Sequence, residues 1–286
     1  MSPLASLHDR RSRDRGVLLM GVLNATPDSF SDGGLYLDGA SAKRRVDELI
    51  AAGADIVDIG GESTRPGAAP VPADEQIARI DQALVYAARE RHALVSVDTT
   101  NADVARHALA KGAAIVNDVS CLANDELARV VADTGASLVL MHARGSMSEM
   151  RGYSDAPGNA YGDVVADVAD EWALARARAE RKGLARCDIL FDPGIGYMKN
   201  AAHSVELIAR LGEFASLGAP IVVGPSRKSF IAKVASPDAA PGERLGGTIA
   251  ACLAAVDRGA AILRVHDVFA VRQALAVHRA IGGPRA

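Results

Sequence analysis

Five times along the chain a Gly-Ala pair runs straight into a short apolar stretch, at Gly53, Gly112, Gly135, Gly218 and Gly259. Glycine closes helices in the left-handed conformation, so each pair reads as a joint where a helix stops and a buried strand starts. A chain that repeats this joint is assembled from βα units. The apolar runs are 17–23, 55–59, 93–97, 113–116, 137–141, 188–191, 220–223 and 261–265, eight in all. Each has strand length and is apolar on both faces, as a parallel strand covered by helices must be. Between the runs the spacing turns helical. Over 74–91, Ile77, Ile80, Leu84 and Val85 share one face, with Asp74 and Glu75 at the positive N-terminal end. Over 124–134, Leu127, Val130 and Val131 do the same behind Asn124, an expected N-cap. The longest helix is expected over 161–182 and carries the only tryptophan, Trp172. Eight βα units in roughly 250 residues is the size of a closed (β/α)8 TIM barrel. The alternative, an open doubly wound sheet, is disfavoured because no G-x-G-x-x-G comes after the first run.

The 286 residues, 49% hydrophobic and 23% charged, can bury such a core without disulfides or structural metal. A net charge of −3 gives no general attraction to nucleic acid or membrane, and neither is expected as a partner. An anionic ligand would have to be held by local positive charge. Cys121, Cys187 and Cys252 lie far apart without a C-x-x-C pair, so all three are expected to be small buried apolar residues in a reducing compartment. Residues 1–16, with Arg10, Arg11, Arg13 and Arg15, are expected to form a loose tail ahead of a barrel over 17–286. The run 17–23 is too short for a signal sequence or a membrane span, so the expected location is the cytoplasm.

The residues just after each run carry the chemistry. Run one leads into Asn24 to Gly34 and run two into Gly60 to Gly67. The others end at Asp98-Thr99, Asn117-Asp118, Met141-His142, Asp192 to Gly196, Gly224 to Lys228 and Arg264-Val265-His266. In a barrel these eight ends share one rim, where active sites of this fold are built. Taken singly, each is bland: a lone aspartate at a strand end is more often a turn or helix cap than a ligand. Together they bring acceptors (Asp98, Asn117, Asp192) and cations (Lys228, Arg264) to one mouth. Arg264 and His266 alternate along a strand and face the same side, the pattern of an anion site.

The segments 24–34 (NATPDSFSDGG) and 58–67 (DIGGESTRPG) resemble the two signature loops of the dihydropteroate synthase family. Ser96 to Thr99, Asn117 to Ser120, Asp192 to Gly196, Ser226 to Lys228 and Arg264 to Asp267 match the remaining motifs in order. The resemblance covers about 17–280 and is of the stand-alone bacterial type, with two departures: Cys121 replaces a usual glycine and Tyr197 a usual phenylalanine.

The resemblance implies a transferase of folate biosynthesis that joins 6-hydroxymethyl-7,8-dihydropterin diphosphate to p-aminobenzoate, giving 7,8-dihydropteroate and pyrophosphate. By the same resemblance the pterin is held by Asp98, Asn117, Met141, Asp192, Lys228 and Arg264, the guanidinium stacking on the ring. The diphosphate is assigned to Asn24, Arg65, Arg264 and His266, with Mg²⁺ on Asn24. Phe30, Thr64, Arg65, Pro66, Tyr197 and Ser229 would form the p-aminobenzoate slot. Asp32, Lys228 and Asp98 are the implied catalytic residues, and a homodimer is the implied assembly. Two alternatives remain open: a corrinoid-linked methyltetrahydrofolate methyltransferase barrel, which would not need 24–34 or 226–228, and a catalytically silent binding paralogue.

Overall fold

A computed structural model of the chain describes residues 16–25, 39–63, 69–145, 154, 156–158 and 160–282. Eight parallel strands close into a barrel in sequence order. They are β1 (Leu18–Asn24), β2 (Ile56–Gly60), β3 (Leu94–Asp98), β4 (Ile115–Asp118), β5 (Ser137–Met141), β6 (Ile189–Asp192), β7 (Ile221–Val223) and β8 (Ala260–Val265). The α-helices among the described residues are α1 (Gly39–Ala52), α2 (Ala73–Val85), α3 (Ala102–Lys111), α4 (Asp125–Thr134) and α5 (Val164–Arg181). They continue as α6 (Ala201–Ala209), α7 (Ser229–Ala235), α8 (Leu245–Val256) and α9 (Val268–Ala280). The barrel expectation holds and the open sheet is excluded.

Strand period explains the two cores. Alternate side chains point inward, and Leu18, Met20, Ile56, Ile115, Val139, Leu190, Val222 and Ile262 fill the barrel interior. The outward residues, among them Leu19, Val57, Val95 and Leu263, pack under the helices in a second and larger cluster. Each such aliphatic side chain gains about 1.5–3 kcal/mol on full burial, so the two layers hold the strand ends rigidly.

All five Gly-Ala joints have the expected left-handed glycine, with φ of 96°, 116°, 68°, 65° and 95° from Gly53 to Gly259. Asn124 caps α4 by accepting the Glu126 N–H at 3.0 Å. Trp172 is buried and donates its indole N–H to the Leu140 carbonyl at 2.9 Å.

Three expectations shift. The helix expected over 74–91 ends as α2 at Val85 and widens into a π turn, Tyr86–Glu90, that carries the Tyr86 hydroxyl to Asp47 on α1 at 2.9 Å. Asp55 precedes β2 rather than opening it, because its carboxylate accepts the Leu19 N–H at 2.9 Å. Cys252 is buried and Cys121 half-buried, but Cys187 is exposed, since the 3₁₀ turn Arg186–Asp188 runs over the surface into β6. Among the described residues no helix is long and apolar enough to cross a membrane.

Candidate active site

The inward positions that are apolar deep in the barrel become polar one step nearer the rim. Asp58, Ser96, Asp98, Asn117 and Asp192 are all buried there. Strand register sets Asp98 beside Gly60 and Asn117, and Asp192 beside Met141. Arg264 reaches across this floor from β8, donating from Nε to Asp58 Oδ2 at 2.7 Å and from a terminal nitrogen to Asp98 Oδ2 at 2.6 Å. Asn117 leans toward the same Asp58 oxygen at 3.5 Å. The guanidinium is thus tied edge-on by two carboxylates, which fixes the plane of its ring-stacking faces.

The floor is incompletely satisfied. Asp58 Oδ1, Asp98 Oδ1 and Ser96 Oγ are buried without a hydrogen-bond partner. Each such orphan costs about 1–3 kcal/mol, an expense folded proteins concentrate where a ligand completes the bonding. Burial pushes the Asp98 carboxyl up to about 7 against the opposing pull of Arg264. Asp58 is the residue of this floor whose role reading the sequence missed. It lies inside the run 55–59 and looks like a strand residue, although its two-residue offset from Gly60 and the inward period are the available signal.

On the opposite side, Asp192 Oδ1 accepts the Gly194 N–H at 2.7 Å, and burial raises its carboxyl above the usual range. Lys228 donates to the Ile195 carbonyl, and its ammonium stands 4.5 Å from the centre of the Tyr197 ring. Burial lowers Lys228 to about 8, with Asp192 pulling back toward the charged form. Tyr197, Met141 and Val119 form a small apolar wall. Ser229, at the start of α7, donates to Ser154 Oγ at 3.2 Å.

At the β8 end, the His266 Nδ1 lies 3.0 Å from Ser226 Oγ, which also accepts the His266 N–H at 3.2 Å. Burial, reinforced by the Arg264 charge, pushes the imidazole down to about 3. It is therefore a neutral group in the ligand-free site, on the strand face it was expected to share with Arg264. Beside it opens a cleft of about 310 Å³, lined among others by Arg45, Arg227, Asp267 and Phe269. Arg227 is held by Asp267 at 2.9 and 2.5 Å, and so braces the rim of this cleft. Below the second loop, Glu62 accepts the Val71 N–H at 2.8 Å and lies 3.4 Å from Gln76 Nε2, so its carboxylate closes the base of that loop.

Asn24, half-buried at the end of β1, pairs in register with Gly60. Among the described residues no group of three or more His, Cys, Asp or Glu could hold a metal ion. One hard amide oxygen fits an ion such as Mg²⁺ only if substrate phosphates and water complete its shell, which is how that ion is commonly bound. Phe30, Asp32, Thr64, Arg65 and Pro66 lie outside the described residues.

Residues 20–266 match the family described as pterin binding enzyme. The chain is 40% identical to the dihydropteroate synthase of Escherichia coli K12 over 259 residues, 91% of this chain and 89% of that one. It is 42% identical to a probable bifunctional folylpolyglutamate synthase/dihydropteroate synthase of Haloferax volcanii, covering 91% of this chain but 30% of that longer protein. A Xanthomonas albilineans dihydropteroate synthase solved with 4-aminobenzoic acid superposes with a TM-score of 0.85 at 40% identity, over 95% of this chain and 94% of that one.

Proposed function

Because the chain belongs to the dihydropteroate synthase family, we propose that it is a transferase joining 6-hydroxymethyl-7,8-dihydropterin diphosphate to p-aminobenzoate, with release of pyrophosphate. The observation that carries this reading is the buried floor of Asp58, Ser96 and Asp98, whose hydrogen-bonding capacity is not met within the protein, beside the equally buried Asn117 and Asp192. A flat heterocycle with ring N–H and amino donors supplies the bonds that floor lacks.

In this reading Asp192 accepts from the pterin amino edge, Asn117 and Asp98 pair the far edge, and Lys228 donates to ring acceptors. Arg264, its plane set by Asp58 and Asp98, covers a face of the ring. Asn24, His266 and Arg65 take the diphosphate at the mouth, where Asn24 would hold Mg²⁺, which when bound would supply positive charge beside the leaving pyrophosphate. The amine nitrogen of p-aminobenzoate forms a bond to the methylene carbon, the carbon–oxygen bond to the diphosphate breaks, and the amine proton is lost to solvent. Asp32 stabilises positive charge developing on the pterin, and Asp98 and Lys228 hold the ring through the step. Tyr197, Ser229, Phe30, Thr64 and Pro66 form the slot for the aryl amine. The reaction is assigned to the cytoplasm and the working unit to a homodimer.

The test is direct. Purified protein given both substrates and Mg²⁺ should form 7,8-dihydropteroate and pyrophosphate in equal amounts, read by chromatography and a pyrophosphate assay. Absence of both products with folded protein would overturn the assignment.

A further inference from the structure

Behind the p-aminobenzoate wall lies a buried polar chain that the proposed reaction does not use. Lys199 is 0% exposed, and its ammonium sits 3.0 Å from His142 Nδ1, 3.1 Å from the Tyr197 carbonyl and 3.4 Å from the His142 carbonyl. An ammonium has three N–H donors and here meets three acceptors. His142, also 0% exposed, turns Nε2 to Glu171 on α5 at 3.0 Å. Glu171 in turn takes Arg144 Nε at 3.0 Å on both oxygens. The partners fix the hydrogen positions: the carboxylate needs Nε2–H, which leaves Nδ1 as the acceptor for Lys199.

The loop after β6 is the part this chain grips. Gly194 and Gly196 both lie at positive φ, 67° and 82°, conformations that only glycine adopts at little cost. Lys228 takes the Ile195 carbonyl from the site side, while Lys199 takes the Tyr197 carbonyl from behind. A Cβ at Gly194 would collide with the His142 carbonyl and lie 3.2 Å from Lys199 Nζ, so the loop is seated directly on the chain.

We propose that Lys199 is a positioning residue: with His142 and Glu171 it fixes the loop that presents Tyr197 and anchors Lys228, and thereby sets the affinity for the aryl amine. The inference rests on the synthase reading for its ligand, but its geometry does not. Keeping a charge at this depth has an energetic cost, and burial lowers the Lys199 ammonium to about 7, with Asp192 pulling it back up. Lys228, Arg144 and the Tyr161 ring, 5.8 Å away, also face it, as does Cys121. On deprotonation the amine keeps two N–H donors for three acceptors, so one of the three contacts that tie the loop to His142 is lost as pH rises.

The experiment compares wild type with Lys199→Met and Glu171→Gln, each confirmed as folded by circular dichroism. Lys199→Met should raise KM for p-aminobenzoate tenfold or more while kcat at saturation stays within threefold. Its KM should be flat between pH 6 and 8, where the wild-type value climbs. Glu171→Gln, at a partly exposed position, should shift KM the same way by less, and it carries the test if Lys199→Met does not fold. Wild-type KM in both variants, or a fall in kcat alone, overturns the role. A ¹⁵N spectrum of the histidine rings is independent of turnover: His142 should show Nδ1 bare and Nε2 protonated. A protonated Nδ1 overturns the proposal even if the enzyme makes no dihydropteroate, whereas an inactive wild type with the expected ring nitrogens overturns only the assigned activity.

Discussion

Asp58 on β2 and Arg264 on β8 are joined at 2.7 Å, though 206 residues separate them in sequence. The pair spans β1 and turns a long flexible cation into a fixed plane at the barrel mouth. Asp58 is entirely buried, and its charge has no solvent to fall back on. Removing one partner of such a pair typically costs about 3–5 kcal/mol, because the other charge is stranded. Asp98 still holds the second nitrogen, so Asp58→Ala should lie at the lower end, about 3 kcal/mol, by chemical denaturation. Asp58→Asn keeps the volume but turns an N–H donor or a weaker acceptor toward the guanidinium. It should weaken binding of 6-hydroxymethyl-7,8-dihydropterin about tenfold, or about 1.4 kcal/mol. Wild-type affinity by calorimetry would show that Arg264 does not need Asp58 for its orientation.

Lys228 gives a pH signature. Burial holds its ammonium at about 8, well below an exposed lysine. The proposed ring contact requires the charged form, which is complete below that pH and is lost as pH rises through it. The Lys228 contribution to pterin affinity should therefore be level on the acid side and fall about tenfold per unit above pH 8, on top of any change from Asp98, whose carboxyl stands at about 7. Lys228→Arg cannot titrate in this range and should bind more weakly but without the alkaline limb. Any ionisation of the ligand affects both proteins alike, so the difference between their profiles isolates Lys228. Parallel profiles would remove it from the pterin site.

Much of the barrel and its rim is legible in the sequence because two periods coincide in this fold. Alternation along each run separates inward from outward residues, and the Gly-Ala joints mark where runs begin. The polar residues just past the runs, Asp98, Asn117, Asp192 and Lys228, then have to share a rim. Asp58 escapes notice because a carboxylate within an apolar run looks like part of the strand until its partner is known, and that partner stands on the last strand of the barrel. Lys199 and His142 escape for a related reason: their partners are a ring nitrogen and carbonyls, and no spacing rule links β5, α5 and the loop after β6. The neutral state of His266 is equally hidden, since burial, not residue type, decides it.

Cys121, in place of the family's usual glycine, has φ of 57°. Left-handed backbone costs a residue with a Cβ about 1–2 kcal/mol, and glycine gives back about 0.5–1 through its greater freedom when unfolded. Arg178 donates to the Cys121 carbonyl at 2.8 Å and holds the turn in either case. Cys121→Gly should leave stability unchanged or raise it by up to about 1.5 kcal/mol, with turnover unaltered. A loss above about 1 kcal/mol by chemical denaturation would mean that the thiol packs well enough to outweigh its backbone strain.

His266 separates the two halves of the substrate. In the ligand-free site its imidazole is pushed down to about 3 by burial and by Arg264, so it meets the diphosphate as a neutral hydrogen-bond donor. Ser226 decides which nitrogen donates. The serine oxygen accepts the His266 backbone N–H, and where its one hydrogen goes to Nδ1 the ring hydrogen is on Nε2, the arrangement this prediction tests. Losing a hydrogen bond to a charged group costs about 1.5–3 kcal/mol, so His266→Ala should weaken the diphosphate ester by roughly ten- to a hundredfold. The bare pterin alcohol, which has no phosphate to meet, should bind nearly as before. Ser226→Ala leaves the ring in place but lets the other tautomer form, turning a lone pair toward the phosphate. The same selective loss should appear there, smaller by several-fold. Arg264→Ala should instead weaken ester and alcohol together, because its guanidinium is tied into the floor beneath the ring by Asp58 and Asp98. Calorimetry with the two ligands across the three variants resolves the assignment. Equal losses for ester and alcohol in His266→Ala would take His266 out of diphosphate recognition.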